Sequence, residues 1–407
     1  NYANKYIIIK NSKQSGLIMD DKNIRSLTVL RSILQDRVFG AFIAAKENAD
    51  EERTAEFINE VLAAGAENNF TAYVCDRILM DENIFSVCCA AGKTPSDYLK
   101  NAYLRDIKVI LSYIADYTND NPALFGTGCA VQPFDREGQQ LYIQLKKFYK
   151  KYGCGQFIKY RAFGFENGEL VPVKNPPEIT LDDLKGYKNE KNTIDRNIVN
   201  FLRGLPYGNM LLYGDRGTGK SSTIHAMLNK YWKNGLRIVE LNKENMLDLP
   251  KVRQAIMENP LKFIIFIDDL SLNENDDKIS GLKAALEGSV SGKTANTMIV
   301  ATSNRRHIVK ENFSDRENSV HFNDSMQEQL SLSDRFGITV MFSSTDKAQY
   351  LEIVRNLAAD LGLEADAELE ALAERWALVK GGRSPRRAKQ FVELALSCKK
   401  RGIEIDF

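Results

Sequence analysis

Residues 214–221 read G-D-R-G-T-G-K-S, the G-x-x-x-x-G-K-[ST] spacing of a phosphate-binding loop. The chemistry needs each residue type. Gly214, Gly217 and Gly219 let the backbone take positive φ and approach an anion closely. Successive N–H groups then turn inward at a helix N-terminus and cradle phosphate oxygens. Lys220 would reach the outer phosphates, and the Ser221 hydroxyl would hold Mg²⁺. The contact set expected for a nucleoside triphosphate is Gly214, Asp215, Arg216, Gly217, Thr218, Gly219, Lys220, Ser221 and Ser222.

Further groups follow at spacings that suit the same chemistry. The run F-I-I-F-I-D-D (263–269) is an apolar strand ending in two carboxylates about 50 residues after the loop. Asp268 at the strand's carboxyl end would face Ser221 and hold Mg²⁺, and Asp269 would polarise an attacking water. The run M-I-V-A-T-S-N (298–304) ends in Asn304, whose amide can orient that water; its bland alternative is a strand-end turn residue. Arg335 precedes the last strand, where a guanidinium can spread charge over phosphate oxygens, or simply pair with Asp334. Arg386 and Arg387 occupy the first turn of the last helix, against the helix dipole, which suggests an anionic partner for Arg386.

These groups need a frame. Short apolar segments at 210–213, 236–241, 263–267, 297–302 and 338–342 alternate with helical stretches, the pattern of a parallel sheet with helices on both faces. The expected core therefore runs over 178–343. Apolar spacings of three and four predict helices over 345–361, 367–379 and 384–401, a C-terminal helical domain over 344–407. A mostly α-helical N-terminal domain is expected over 1–165, with helices over 24–46, 52–64, 98–117 and 139–152. Lys146, Lys147, Lys150 and Lys151 read as a solvated helix face. Gly168, Pro172, Pro176 and Pro177 mark 166–180 as a linker.

Composition narrows the function classes. The 407 residues carry 55 basic and 54 acidic side chains, so no global basic field draws the chain to nucleic acid. Local basic clusters, Arg305-Arg306-His307 and Lys399-Lys400-Arg401, leave nucleic acid open as a partner. No apolar run approaches the roughly 20 residues that span a bilayer, so no membrane partner is expected. Cys75, Cys88, Cys89, Cys129, Cys154 and Cys398 form no C-x-x-C pair and read as small apolar residues of a reducing, cytoplasmic setting. His225, His307 and His321 stand far from most of them, which argues against zinc.

The motifs in this order resemble an AAA+ ATPase over about 178–407. The strings I-D-D-L-S-L (267–272), L-K-A-A-L-E-G-S (282–289), A-T-S-N-R-R-H (301–307), L-S-L-S-D-R-F-G (330–337) and S-P-R-R-A-K-Q-F-V (384–392) are similar to a bacterial family of AAA+ ATP-binding proteins known as a domain of unknown function. The resemblance implies a five-stranded parallel P-loop sheet with a helical lid, ATP and Mg²⁺ as ligands, and a homo-oligomer. It implies Walker A at Gly214–Ser221, Walker B at Asp268 and Asp269, sensor 1 at Asn304 and sensor 2 at Arg386. Arg335 would be the arginine finger serving a neighbouring subunit's site. Two departures matter. The second Walker B carboxylate is usually glutamate and here is Asp269. Where substrate-threading members often carry an aromatic loop, 242–255 reads N-K-E-N-M-L-D-L-P-K-V-R-Q-A, without aromatic or glycine, which disfavours protein threading. The expected activity is ATP hydrolysis driving remodelling of an unknown protein partner. An ATP-gated binding module and a loader-type nucleic-acid ATPase are the alternatives.

Overall fold

Which hydrogen bonds the backbone can make decides where these elements start and stop. A computed structural model describes residues 23–48, 50–66, 70–120, 138–270, 272–273, 282, 286, 295–304, 309–310 and 335–406. Cys129, His307, His321, Asp334, the Arg305–Arg306 pair and most of the 282–289 and 330–337 strings lie outside them. The chain forms two compact units, residues 1–159 and 160–407.

The first unit is helical. Its helices are α1 (Arg37–Glu47), α2 (Glu51–Ala63), α3 (Phe70–Met80), α4 (Ile84–Ala90), α5 (Asp97–Asp120), α6 (Gln139–Tyr152) and α7 (Gln156–Lys159). Phe39, Phe42, Phe57 and Phe70 pack at its centre with no exposure above 1%. The helix expected over 24–46 is broken into two short 3₁₀ turns, Ile24–Ser26 and Arg31–Gln35, before α1 begins. The cause is a carboxylate distant in sequence. Buried Asp106 on α5 accepts the N–H groups of Thr28, Val29 and Leu30 at 2.8, 2.6 and 3.0 Å, which diverts them from a helix ladder. Asp36 then caps α1 by accepting the Phe39 N–H. Burial pushes the Cys89 thiol up to about 12, so it stays protonated at neutral pH. Among the described residues no helix is long and apolar enough to cross a membrane.

The second unit is built on a seven-stranded, mostly parallel sheet. Its strands are β1 (Ala162–Glu166), β2 (Glu169–Pro172), β3 (Met210–Gly214), β4 (Leu236–Leu241), β5 (Lys262–Ile267), β7 (Thr297–Ser303) and β9 (Ile338–Phe342), in the order β2-β1-β4-β5-β7-β3-β9. A separate two-stranded pair joins β6 (Leu272–Asn273) to β8 (Val309–Lys310). Strands β5 and β7 are buried along almost their whole length, as a strand covered on both faces must be. The five expected strands form the contiguous parallel part. The other two correct both the five-strand count and the boundary at 165. The expected linker contains β2, which pairs with β1 as an antiparallel hairpin, and β1 pairs parallel with β4. Asn167 and Gly168 make the turn at φ 52° and 86°, the positive-φ pair that an Asn-Gly dipeptide favours. Edge strand β2 then tolerates Pro172, which cannot donate to a ladder.

Helices α8 (Lys188–Arg203), α9 (Lys220–Tyr231) and α10 (Leu249–Ile256) accompany the sheet. Three more, α11 (Lys347–Asp360), α12 (Ala367–Val379) and α13 (Pro385–Arg401), pack around Tyr350, Phe391 and Val392. Ser384 accepts the Arg387 N–H and caps α13, and Pro385 occupies its first turn.

Candidate functional site

Strand β3 ends at Gly214, where the loop begins. Gly214 has φ 128°, and a Cβ there would lie 2.1 Å from the Phe342 carbonyl oxygen on β9. Only glycine lets the chain pass. The next N–H, of Asp215, donates to that oxygen at 3.0 Å. Gly217 and Gly219 follow at φ 77° and 93°, and α9 starts at Lys220 with Gly219 as its N-cap. The loop is braced from within: Thr218 Oγ1 donates to the Asp215 carbonyl at 2.8 Å. The Asp215 carboxylate accepts the Ser344 N–H at 2.7 Å, beyond the end of β9.

Buried Lys220 holds its ammonium under the loop. Nζ donates to the carbonyls of Gly214 (2.9 Å) and Asp215 (2.7 Å) and to Asn304 Oδ1 (3.1 Å). Burial pulls its pKa below the ordinary lysine value, opposed by the Asp215, Asp268 and Asp269 carboxylates.

Sheet register brings the distant residues to this point. In parallel pairing Ile267 stands opposite Ala301, and Leu212 opposite Thr302. The residues following β5 and β7 therefore emerge beside the loop at the carboxyl ends of the strands, where doubly wound sheets bind ligands. Ser221 Oγ donates to Asp268 Oδ1 at 2.6 Å. Asn304 Nδ2 donates to Asp269 Oδ1 at 2.6 Å. Asp269 has φ 52°, the left-handed region that aspartate and asparagine enter more readily than other side chains. That backbone suits aspartate better than the glutamate that the family resemblance would imply at this position. Thr302, passed over in the sequence as one more strand residue, also bonds to this pair: its hydroxyl donates to Asp268 Oδ1 at 2.5 Å and accepts the Asp269 N–H at 2.9 Å.

The helices after β9 close the site from another side. The Arg386 N–H donates to the Gly217 carbonyl at 3.1 Å, and a Cβ on Gly217 would sit 3.1 Å from Arg386 Cβ. A cavity of about 450 Å³ results, lined by Arg216, Lys220, Ser221, Ser222, Asp268, Asp269, Thr302, Asn304 and Arg386 with Gly217 and Gly219. Arg335 stands outside this lining, partly exposed just before β9. A neighbouring cavity of about 700 Å³ shares Gly217, Gly219, Ser222 and Arg386, and continues between segment 177–191 and helices α11 and α13. The first residues of that segment, 177–179, lie in the expected linker and here form part of a cavity wall. Asn229 Nδ2 on α9 holds it by donating to the Pro177 and Ile179 carbonyls, both at 2.8 Å. Lys185 pairs with Asp360 of α11 at 2.6 Å. Prolines hid this wall in the sequence, because it has no periodicity to read.

The residues suit a hard cation beside a polyphosphate. Ser221 and Asp268 offer a hydroxyl and a carboxylate on one spot, the oxygen donors that Mg²⁺ takes. The loop offers glycine-turned amides and a lysine.

Comparisons with known proteins give the chain a family and several partial likenesses. The model of the family described as "Protein of unknown function (DUF815)" matches residues 157–398, more than half of the chain. An AAA-ATPase of Arabidopsis thaliana is 27% identical over 143 residues, 32% of this chain and 28% of that protein. The chain therefore spans under a third of this curated relative. Among solved structures, the Thermotoga maritima RuvB Holliday junction branch migration motor is similar at a TM-score of 0.40 and 15% identity, covering 56% of this chain and 67% of that one. The Aeropyrum pernix Orc1 protein, solved in complex with DNA, is similar at 0.41 and 16%, covering 56% and 64%. Matched by that model over more than half of its length, the chain belongs to the DUF815 family.

Proposed function

We propose that this protein binds Mg-ATP between its core sheet and its C-terminal helices and hydrolyses it with help from a neighbouring copy. The observation carrying this reading is the convergence of Lys220, Ser221, Asp268, Asp269, Asn304 and Arg386 on one cavity. The loop amides and Lys220 bind the phosphates, and the larger adjoining cavity takes the nucleoside. Ser221 and Asp268 hold the magnesium ion, which supplies charge neutralisation on the phosphate oxygens. Asp269 polarises the attacking water, and Asn304, already bonded to Asp269, orients it. Arg386 couples the outer phosphate to the position of the helical lid. Arg335, outside its own chain's cavity, supplies a guanidinium to the next subunit's site, which makes the working form an oligomer. The energy released remodels a protein partner.

Isothermal titration tests the binding half. Lys220→Ala should lose measurable ATP affinity, and an unchanged affinity would sink the assignment. Steady-state phosphate release by the intact protein tests the catalytic half and separates an ATPase from an ATP-gated module. A pull-down with ATP-loaded Asp269→Asn protein should retain the partner, because slow hydrolysis holds the bound state.

A further inference from the structure

We infer that Thr302 is a positioning residue that sets both carboxylates of the site through one hydroxyl. The inference rests on the ATPase reading above. Neither the phosphate loop nor the aspartate pair specifies it, since Thr302 lies on another strand.

Thr302 is 2% exposed, next to the end of β7 and beside the end of β5. Its hydroxyl carries a single proton. That proton goes to Asp268 Oδ1 at 2.5 Å, so the oxygen lone pairs face the Asp269 N–H at 2.9 Å. The Thr302 carbonyl accepts the Leu270 N–H at 2.7 Å. One residue therefore fixes the three-residue turn 268–270 at every member: a carboxylate, an amide at φ 52° and the amide after it.

Each contact has a consequence for chemistry. Asp268 Oδ1 also accepts from Ser221 at 2.6 Å, so the Thr302 bond sets where the magnesium-facing carboxylate stands relative to Ser221. The Asp269 amide holds its backbone in the left-handed region, which aims the carboxylate toward Asn304. Without the hydroxyl, the part-buried Asp269 amide loses its acceptor and the left-handed turn loses its brace. Serine keeps both bonds. Valine keeps the shape and loses both.

The test compares Thr302→Val and Thr302→Ser in the full chain. Thr302→Val should lower kcat by about 10- to 100-fold and raise the Mg²⁺ concentration for half-activation by a similar order, as loss of groups orienting metal ligands does. ATP affinity without Mg²⁺ should stay within about threefold, since the loop amides and Lys220 are untouched. Thr302→Ser should recover most of the lost rate. Wild-type kcat and Mg²⁺ dependence in a folded Thr302→Val protein would overturn the inference, as would a Thr302→Ser protein as impaired as Thr302→Val. If Thr302→Val fails to fold, Thr302→Cys, a weaker donor of similar size, should show an intermediate loss; wild-type behaviour there overturns the inference equally. Absence of turnover in the wild-type protein would count against the ATPase reading alone. The ratio of Mg-ATP to metal-free ATP affinity then reads out Thr302: it should fall in Thr302→Val, and an unchanged ratio overturns the positioning role.

Discussion

Replacing Asp269 by glycine and, separately, by alanine should reverse the usual order of stability. Both changes remove the carboxylate and its bond from Asn304, so those losses cancel in the comparison. Both keep the N–H that donates to Thr302. What remains is the backbone at φ 52°. A Cβ in the left-handed α conformation costs roughly 1–2 kcal/mol, which alanine bears and glycine does not. Glycine loses more freedom on folding, worth roughly 0.5–1 kcal/mol against it. The difference leaves Asp269→Gly more stable than Asp269→Ala by about 0.5–1 kcal/mol, whereas at an ordinary helix or strand position the alanine protein would win. For a unit of this size that is a Tm gap of about 1–4 °C, readable by circular dichroism or by urea titration. Neither protein should release phosphate. An alanine variant as stable as the glycine variant, or more so, would refute the claim that this turn is strained and held from Thr302.

Gly214→Ala should cost more than Gly219→Ala: both sit at positive φ, but only the first drives a Cβ to 2.1 Å from a backbone oxygen. Strain and overpacking together give about 2–5 kcal/mol for Gly214→Ala against about 1–2 for Gly219→Ala in denaturant titrations; equal losses would contradict the β3–β9 approach. Arg335→Ala should keep ATP binding, lose turnover, and regain part of it when mixed with Lys220→Ala protein; full turnover by an isolated Arg335→Ala chain would refute the action across an interface. Chelating Mg²⁺ should abolish phosphate release, and Ser221→Ala should require more Mg²⁺ for half-activation, which a metal titration reads directly. Asp106→Ala should destabilise the helical unit by about 2 kcal/mol or more, because the buried N–H of Leu30 and the part-buried N–H groups of Thr28 and Val29 lose their acceptor together; a loss under about 1 kcal/mol in urea would show that those amides find other partners.

Much of the candidate site was legible because its pieces are local. The loop spacing, the apolar runs ending in Asp268, Asp269 and Asn304, and the helix at Pro385–Arg401 each occupy a few consecutive residues. The α6 bounds follow from spacing alone, since a single amphipathic helix carries its own period. The hairpin β1–β2 had a signal too, the Asn167-Gly168 turn, masked by the prolines around it. Nothing local announces Asp106 as the acceptor that breaks the expected helix over 24–46, because it lies 76 to 78 residues away.

By itself the sequence determined which chemical groups are available and which segments are strands or helices, since residue type and period act over one turn or one pleat. Only the tertiary structure decided their adjacency. Parallel strands are joined by crossovers, so a strand's neighbour in the sheet need not be its neighbour in sequence. The register of Ile267 with Ala301 set Thr302 against the aspartate pair, and the approach of β9 made Gly214 obligatory. The chemistry was written along the chain, and its geometry arose where β3, β5 and β7 end side by side.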